Sequence, residues 1–408
     1  MTRTILCCAS VLLAGFTGPG PAQQARFDDV VRNLRNPEPK IRLNAVRLLR
    51  EARHPEAIVP MAALVNDPID AIQLEAIAAE LSFFLVQDVP DRRRLGFLVE
   101  VRNRGGAPTA FDLGPLAVWP RPAPPELVTA LLKAVDDENP RVRLESIYAA
   151  GTIARPPLPP DAGQQLVKAI DHYDPFVRAG AARVAGRLAV TAAAETLFKA
   201  INDSNADVRY AAMRALGMLH DERAVAALTE QLTFYGKGEG AWAALDALAR
   251  IAHPSSVPLF TARLADRDPF LRRAAAEGLG RTGDRGSVGT LETGAGNDPS
   301  PMVRAAMQYA LQKLGANYVA RLIEFLDEGR TTLQVQEYLI EFGAPIEKEL
   351  LPSLQDPDDA IRAAVADVLG EIGGDASLTA LQGLQPRDRT AAGAATRAVE
   401  RIRMRRAL

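Results

Sequence analysis

From Phe27 onward, apolar residues recur at helical spacing in short runs separated by polar, turn-rich breaks. Ala57–Val65 (AIVPMAALV) and Ala224–Leu232 (AVAALTEQL) each predict one short helix. A turn rich in Asp, Asn and Pro follows, as in Asn66-Asp67-Pro68 and Asn297-Asp298-Pro299, and then a second, Ala-rich helix. The second helices share a phrase: an acidic residue, five others, an Arg preceded by Val, Ile or Leu, then small residues. It occurs as Asp137…Arg143, Asp203…Arg209, Asp266…Arg272, Asp298…Arg304 and Asp356…Arg362, with Asn36…Arg42, Asp67…Gln73 and His172…Arg178 as degenerate copies. Arg178, Arg209, Arg272 and Arg304 stand 31, 63 and 32 residues apart, so the period is about 31 with one copy skipped. The skipped copy, Thr233–Leu264, has Ala241 at the Arg position, and Asp327–Leu354 has Thr332 there. Counted this way, about ten or eleven units fill Phe27–Leu408.

With each phrase Arg as position zero, core residues fall near +3, +7 and +10, while +5 and +9 are expected to face solvent. Gly151, Gly186, Gly217, Gly280 and Gly370 all fall at +8. Glycine inside a helix costs about 1 kcal/mol against Ala, so five in register predict close approach of neighbouring helix backbones. Gly283, Gly315 and Gly373, at +11, suit helix C-caps. The repeated Asp–Arg set (Asp137, Arg143, Arg178, Asp203, Arg209, Asp266, Arg272, Asp298, Arg304, Asp356 and Arg362) reads as a structural ladder, with carboxylate and guanidinium bonding each other, the turn amides and the adjacent unit. Catalysis needs one distinguished pair, and these are interchangeable copies.

Units such as Asp203–Leu232 and Asp266–Gly294, with their Asp…Val/Leu-Arg…Ala-Ala…Leu-Gly pattern, resemble the short bacterial HEAT repeats first described in phycobilisome lyases. The resemblance spans most of the chain after its first residues. It implies an all-α, right-handed α–α solenoid with the second helices lining the concave side, interrupted by one irregular insertion. One solenoid serves many tasks, so the resemblance is specific for fold rather than for function. HEAT-repeat hydroxylases carry paired His-Glu steps that hold two irons. Here none of the four His (His54, His172, His220, His253) precedes Glu, and no two lie three or four residues apart. No metal and no cofactor is therefore expected.

The N-terminus changes the picture of location. Arg3, the twelve-residue apolar stretch Ile5–Phe16 and the small residues of Gly20-Pro21-Ala22 have the order of a secretory signal, Met1–Ala22. As a helix that stretch reaches roughly 18 Å, short of the ~30 Å hydrocarbon core, so cleavage is expected rather than membrane anchoring. Both cysteines, Cys7 and Cys8, would leave with it. A thiol-free mature chain has no disulfide, no thiolate nucleophile and no Cys-ligated zinc, and the bilin attachment to thiols of the lyase relatives fits badly with an exported chain. Charge adds little: 48 Lys+Arg, of which seven are Lys, against 50 Asp+Glu give a net −2, with no general pull toward nucleic acid. A hydrophobic content of 48% is enough to fold. No Gly-x-Ser-x-Gly, phosphate loop or Gly-x-Gly-x-x-Gly occurs, and Gly236-Lys-Gly-Glu-Gly240 lacks the preceding strand that a phosphate cradle requires.

Two segments break the array. Residues 88–125 open with Asp91-Arg-Arg-Arg94, alternate like a strand at Leu98–Arg102 and again at Thr109–Leu113, and end in Trp119-Pro-Arg-Pro-Ala-Pro-Pro125. They read as a hairpin or packed loop covering one edge of the solenoid, or as a grafted binding element. In Thr233–Gly240 the aromatics Phe234 and Tyr235 sit beside three glycines and serve either packing or interface anchoring. The +5 residues run Arg47, Tyr148, Arg183, Arg214, Asp246, Glu277, Tyr309, Glu337 and Asp367; the +9 residues include Arg187, Arg250, Arg281 and Lys313, then Glu341 and Glu371. They describe either solvated charge or a groove with a basic middle and an acidic end that would hold a charged polypeptide. The expected organisation is a signal (1–22), N-terminal repeats (27–87), an insertion (88–125), and repeats ending in a capping helix from Arg387 (126–408). The expected function is an exported, non-catalytic, periplasmic or secreted scaffold that binds another protein, not nucleic acid, without stable membrane insertion. Arg187, Arg250, Arg281, Lys313, Phe234, Tyr235 and Trp119 are its candidate contacts. The alternative is a regulatory or lyase/hydroxylase-like enzyme subunit.

Overall fold

The computed structural model describes residues 21–86, 110–156, 158, 162–327, 329, 331–384 and 389–407. They form helices throughout, and no helix among them is long and apolar enough to cross a membrane. Met1–Gly20 of the expected signal and the expected strand Leu98–Arg102 lie outside the described residues.

Second helices run Pro39–Ala52, Asp70–Phe84, Pro140–Ile153, Pro175–Arg187, Ala206–Met218, Gly238–Ile251, Pro269–Thr282, Pro301–Lys313, Thr332–Phe342 and Asp359–Ile372, and the array closes with Arg389–Ala407. Shorter, partly 3₁₀ first helices such as Val225–Tyr235 and Val257–Arg263 alternate with them. The turn chemistry explains the sharp starts. In Asp203-Ser-Asn205 the ladder carboxylate accepts from the Asn205 amide (2.8 Å), and the Asn205 side chain then caps the amides of Asp207 (2.9 Å) and Val208. Asp137-Glu-Asn139, Asp266-Arg-Asp268 and Asp356-Pro-Asp358 repeat the arrangement. Pro140, Pro175, Pro269 and Pro301 open their helices, where a missing N–H leaves no bond unmade.

The +8 glycines lie where backbones meet. A Cβ on Gly186, Gly217 or Gly280 would stand 2.6–2.7 Å from the Cα of Ala215, Ala247 or Ala310, the +6 residue of the next unit's second helix. On Gly370 it would meet the Ala398 Cα at 3.0 Å, and on Gly151 it would meet the Val184 side chain at 2.5 Å. Gly283 (φ 74°) and Gly315 (φ 98°) take the left-handed conformation after their helices, whereas Gly373 ends its helix in an extended one.

Two local expectations need correction. Of the expected strand Thr109–Leu113, the described residues Ala110–Leu113 are instead a helical turn, continued by a 3₁₀ turn over Gly114–Ala117. Extended pairing occurs one step later, where Val86 donates to Ala117 (2.9 Å) and Trp119 donates to Phe84 (2.8 Å) around a Leu85–Val118 bridge. The insertion is thereby pinned to the end of the Asp70–Phe84 helix, and Pro125 already belongs to the next first helix. The +5 residues do not face solvent as a set: only Arg47 and Glu337 are exposed, and Tyr148, Glu277 and Tyr309 are buried.

Candidate functional site

The ladder runs along the turns between first and second helices, and each rung joins neighbouring units. Arg178 grips Asp203 with two bonds (Nε–Oδ2 2.8 Å, Nη2–Oδ1 2.9 Å), and Arg272 grips Asp298 likewise (2.8 and 2.9 Å). Within its own unit each Arg instead uses Nη1 on a backbone carbonyl six residues back: Arg209 on Asp203 O, Arg272 on Asp266 O, Arg304 on Asp298 O and Arg362 on Asp356 O. Arg42–Asp67, Gln73–Asp137 and Arg143–Asp174 extend the ladder toward the N-terminus. Burial pushes the Asp203 and Asp298 carboxyls up, but the Arg178 and Arg272 hydrogen bonds, the Asn205 and Ser300 backbone amides and the guanidinium charges together outweigh it and hold both below the ordinary Asp value.

The skipped copy keeps its rungs by other chemistry. Arg209 donates to the Tyr235 hydroxyl (Nε–Oη 2.6 Å), and Trp242 donates from Nε1 to Asp268 (2.6 Å). Tyr235 is thus a rung of the ladder. Alignment on a charged pair misses this exchange, although an aromatic with a polar tip beside the ladder position is the signal for it. Asp266, whose preceding unit lacks an Arg, pairs with Arg263 (2.8 Å). Arg304 stacks on Phe325 at 5.6 Å, and Arg362 contacts Asp359.

The concave side is more tightly curled than single-unit periodicity predicts. Side chains two units apart meet: Arg281 reaches Glu341 (Nη2–Oε2 3.0 Å), and the Tyr338 hydroxyl donates to Glu277. Glu341 also takes the Tyr309 hydroxyl and faces Lys313 (3.5 Å), while Arg273 bonds Asp246 (2.7 Å). Burial loosens the Arg281 proton, but Glu277, Tyr309 and Glu341 outweigh it, and the guanidinium is held above its ordinary value. Of the expected groove cations, Arg281 and Lys313 are therefore engaged by carboxylates of the chain itself. Arg250 is exposed.

Arg187 is engaged by the insertion. Its Nη1 donates to the Phe111 carbonyl (2.6 Å), and its guanidinium lies 4.6 Å from the Phe111 ring centre. Burial, followed by nearby Arg155, pushes that guanidinium down to about 10. Trp119 lies 5.8 Å from the guanidinium of Arg401, a fully buried residue of the capping helix.

Away from the bore, Phe234 (79% exposed) projects from the ladder edge beside Tyr235, at a ring separation of 5.1 Å. Two units earlier, on the turn before the Pro175–Arg187 helix, stands Tyr173 (78% exposed), with Arg143 stacked 5.5 Å from its ring and Phe176 half-exposed nearby. Tyr173 also escaped the sequence reading. Its signal is an aromatic where the other turns hold Glu138, Ser204, Arg267, Pro299 or Pro357. A depression of about 420 Å³ at the N-terminal end is lined by Arg47, Arg50, Glu51, Arg53, Glu75 and Ser82. Among the described residues no group of three His, Cys, Asp or Glu is placed to hold a metal ion.

The family described as HEAT repeats matches residues 163–233 and 237–312. No curated protein is similar to the chain. Among solved structures, an engineered protein is 19% identical over 92% of this chain and 98% of its own, with a TM-score of 0.40. The complex of CpcE and CpcF of phycocyanin lyase from Nostoc sp. PCC7120 is also 19% identical, over 58% of this chain and 93% of that one, with a TM-score of 0.40. Human deoxyhypusine hydroxylase is 19% identical over 71% and 96%, with a TM-score of 0.26. Likeness at this level assigns none of their activities.

Proposed function

We propose, from the premise that the chain is a HEAT-repeat protein, that it is an exported, non-catalytic scaffold that binds another protein along its ladder edge. One observation carries the reading: Tyr173, on a turn whose carbonyl Arg178 holds, and Phe234, at the helix end that Arg209 ties through Tyr235, stand largely exposed two units apart. Large aromatics on a pre-ordered surface lose little conformational freedom on binding and make strong interface anchors. The concave charges favour this edge over the groove, since Arg187, Arg281 and Lys313 already have partners within the chain. Export rests on the signal-like order of Met1–Ala22, with a mature N-terminus at Gln23.

The test is affinity capture from envelope extracts by the mature chain, by a Tyr173→Ser/Phe234→Ser double variant and by an Arg250→Glu variant. A specific protein held by the mature chain and by the Arg250 variant, but released by the double variant, is the expected result. Retention by the double variant would overturn the edge assignment. Capture of nothing specific by any form would overturn the scaffold reading itself.

A further inference from the structure

The geometry points to a latch: the insertion segment Ala110–Trp119 grips the C-terminal capping helix through Arg401 and holds the solenoid closed. Neighbouring units in a repeat array touch only one another, or the next but one across a tight concave face. Arg401 breaks that rule. Its Nη1 donates to the Pro115 carbonyl (2.7 Å) and its Nη2 to the Leu116 carbonyl, across more than 280 residues of chain. The Trp119 ring lies 5.8 Å from the same guanidinium, and Glu371 on the adjacent Asp359–Ile372 helix bonds it from behind. Arg401 is 1% exposed although it carries a charge, so this small contact is the environment the guanidinium depends on.

The segment is also fixed to the N-terminal part of the array. Val86, Ala117, Phe84 and Trp119 pin its base to the second unit, and Arg187 holds the Phe111 carbonyl. The N-terminal third of the chain and its last helices are therefore joined through the Arg401 hydrogen bonds and the packing of one short turn, Gly114–Ala117, on the Asp359–Ile372 helix. Interfaces within the array are made of stacked helices, several with Gly-on-Ala approach or ladder pairs. Contacts of the first kind open at lower free energy than stacked helices. Small rotations at each unit boundary, once the latch is released, add up over the array and separate its ends without unfolding any unit. A protein segment entering the concave face between the Pro175–Arg187 and Arg389–Ala407 helices would have to displace Ala110–Trp119, so the latch state controls access to that face.

The full-length mature chain has no thiol, so labels can be placed without background. Spin labels on Pro122→Cys and Arg403→Cys, both exposed positions, report the separation of the insertion base and the cap by double electron–electron resonance. With Arg401 present, one narrow distance distribution is expected. Arg401→Met should move it to longer distance and broaden it with far-UV circular dichroism unchanged. Arg397→Met is the control: Arg397 bonds Asp367 within the same pair of helices (3.1 Å), and no bond joins it to the described residues of the insertion, so its distribution should stay in place. An unchanged distribution in Arg401→Met, or an equal displacement in Arg397→Met, would overturn the latch. Should Arg401→Met lose helix content, Trp119→Ala weakens the grip from the other side, and the same lengthening is then required of it.

Discussion

Gly217→Ala isolates the backbone approach that stacks the second helices. The added Cβ would stand 2.6 Å from the Ala247 Cα, 2.9 Å from its Cβ and 3.1 Å from its carbonyl oxygen. Carbon atoms rest at about 3.5–4.0 Å, so the two helices must part by about 1 Å at this point. The atom in the way is backbone on a buried helix, and no rotamer change clears it. Overpacking of this kind costs about 1–3 kcal/mol, against about 1 kcal/mol gained by replacing Gly with Ala inside a helix. The expected net is a loss of up to about 2 kcal/mol. Gly393→Ala supplies the opposite case, since its Cβ would meet only the Arg397 Nη1 at 3.5 Å, an ordinary contact. There the propensity gain should show, up to about 1 kcal/mol of stabilisation. Urea unfolding followed by circular dichroism at 222 nm measures both. A further arm sharpens the argument: Ala247→Gly should not restore Gly217→Ala, because the nearest obstacle is a Cα that glycine also possesses. Equal stability of the Gly217 and Gly393 variants, or full rescue by Ala247→Gly, would refute the close-approach account.

Glu80 occupies a core position of the Asp70–Phe84 helix, fully buried, with no hydrogen-bond partner for either carboxylate oxygen. Burial raises its carboxyl well above the ordinary value, so the folded chain holds this proton more tightly than the unfolded one and loses stability as pH rises above about 4.3. Glu80→Leu should therefore stabilise at pH 7 by about 1–3 kcal/mol, with a smaller gain at pH 4.5 in parallel urea titrations. The ladder has the opposite sign. The folded Asp298 carboxyl lies below its unfolded value of about 3.9, so its contribution is complete above that pH and is lost as pH falls through the lower, folded value. Arg272→Met, which strips both bonds from Asp298, should cost about 2–3 kcal/mol at pH 7 and flatten the acid limb of the stability profile. Tyr235→Phe removes the acceptor for Arg209 and should cost about 1 kcal/mol, whereas Phe234→Ser should stay within about 0.5 kcal/mol of the parent; thermal denaturation of the two variants separates ladder from surface.

Much of this molecule was legible as a repeating string. The Asp-x-Asn/Asp turn, proline at the helix start, glycine at +8 and the Arg–Asp rungs all act within one unit or between nearest neighbours, so a fixed spacing records them. Gly217 against Ala247 and Arg272 against Asp298 could be anticipated from register alone. Where chemistry replaced residue type, as at Tyr235 and Trp242, the spacing held and the letters did not. Tertiary structure alone decided the rest. Arg281 and Glu341 sit at solvent-facing register positions two units apart, and only the curl of the array, a sum of small rotations that no single unit encodes, brings them together. The contacts of Arg187 with Phe111 and of Arg401 with Pro115 depend on where a non-repeating segment docks, and a segment without a period leaves no spacing to read. Local propensity and nearest-neighbour packing are written along the chain. Closure of the array depends on contacts between residues far apart in sequence, and it appeared only when the units were stacked.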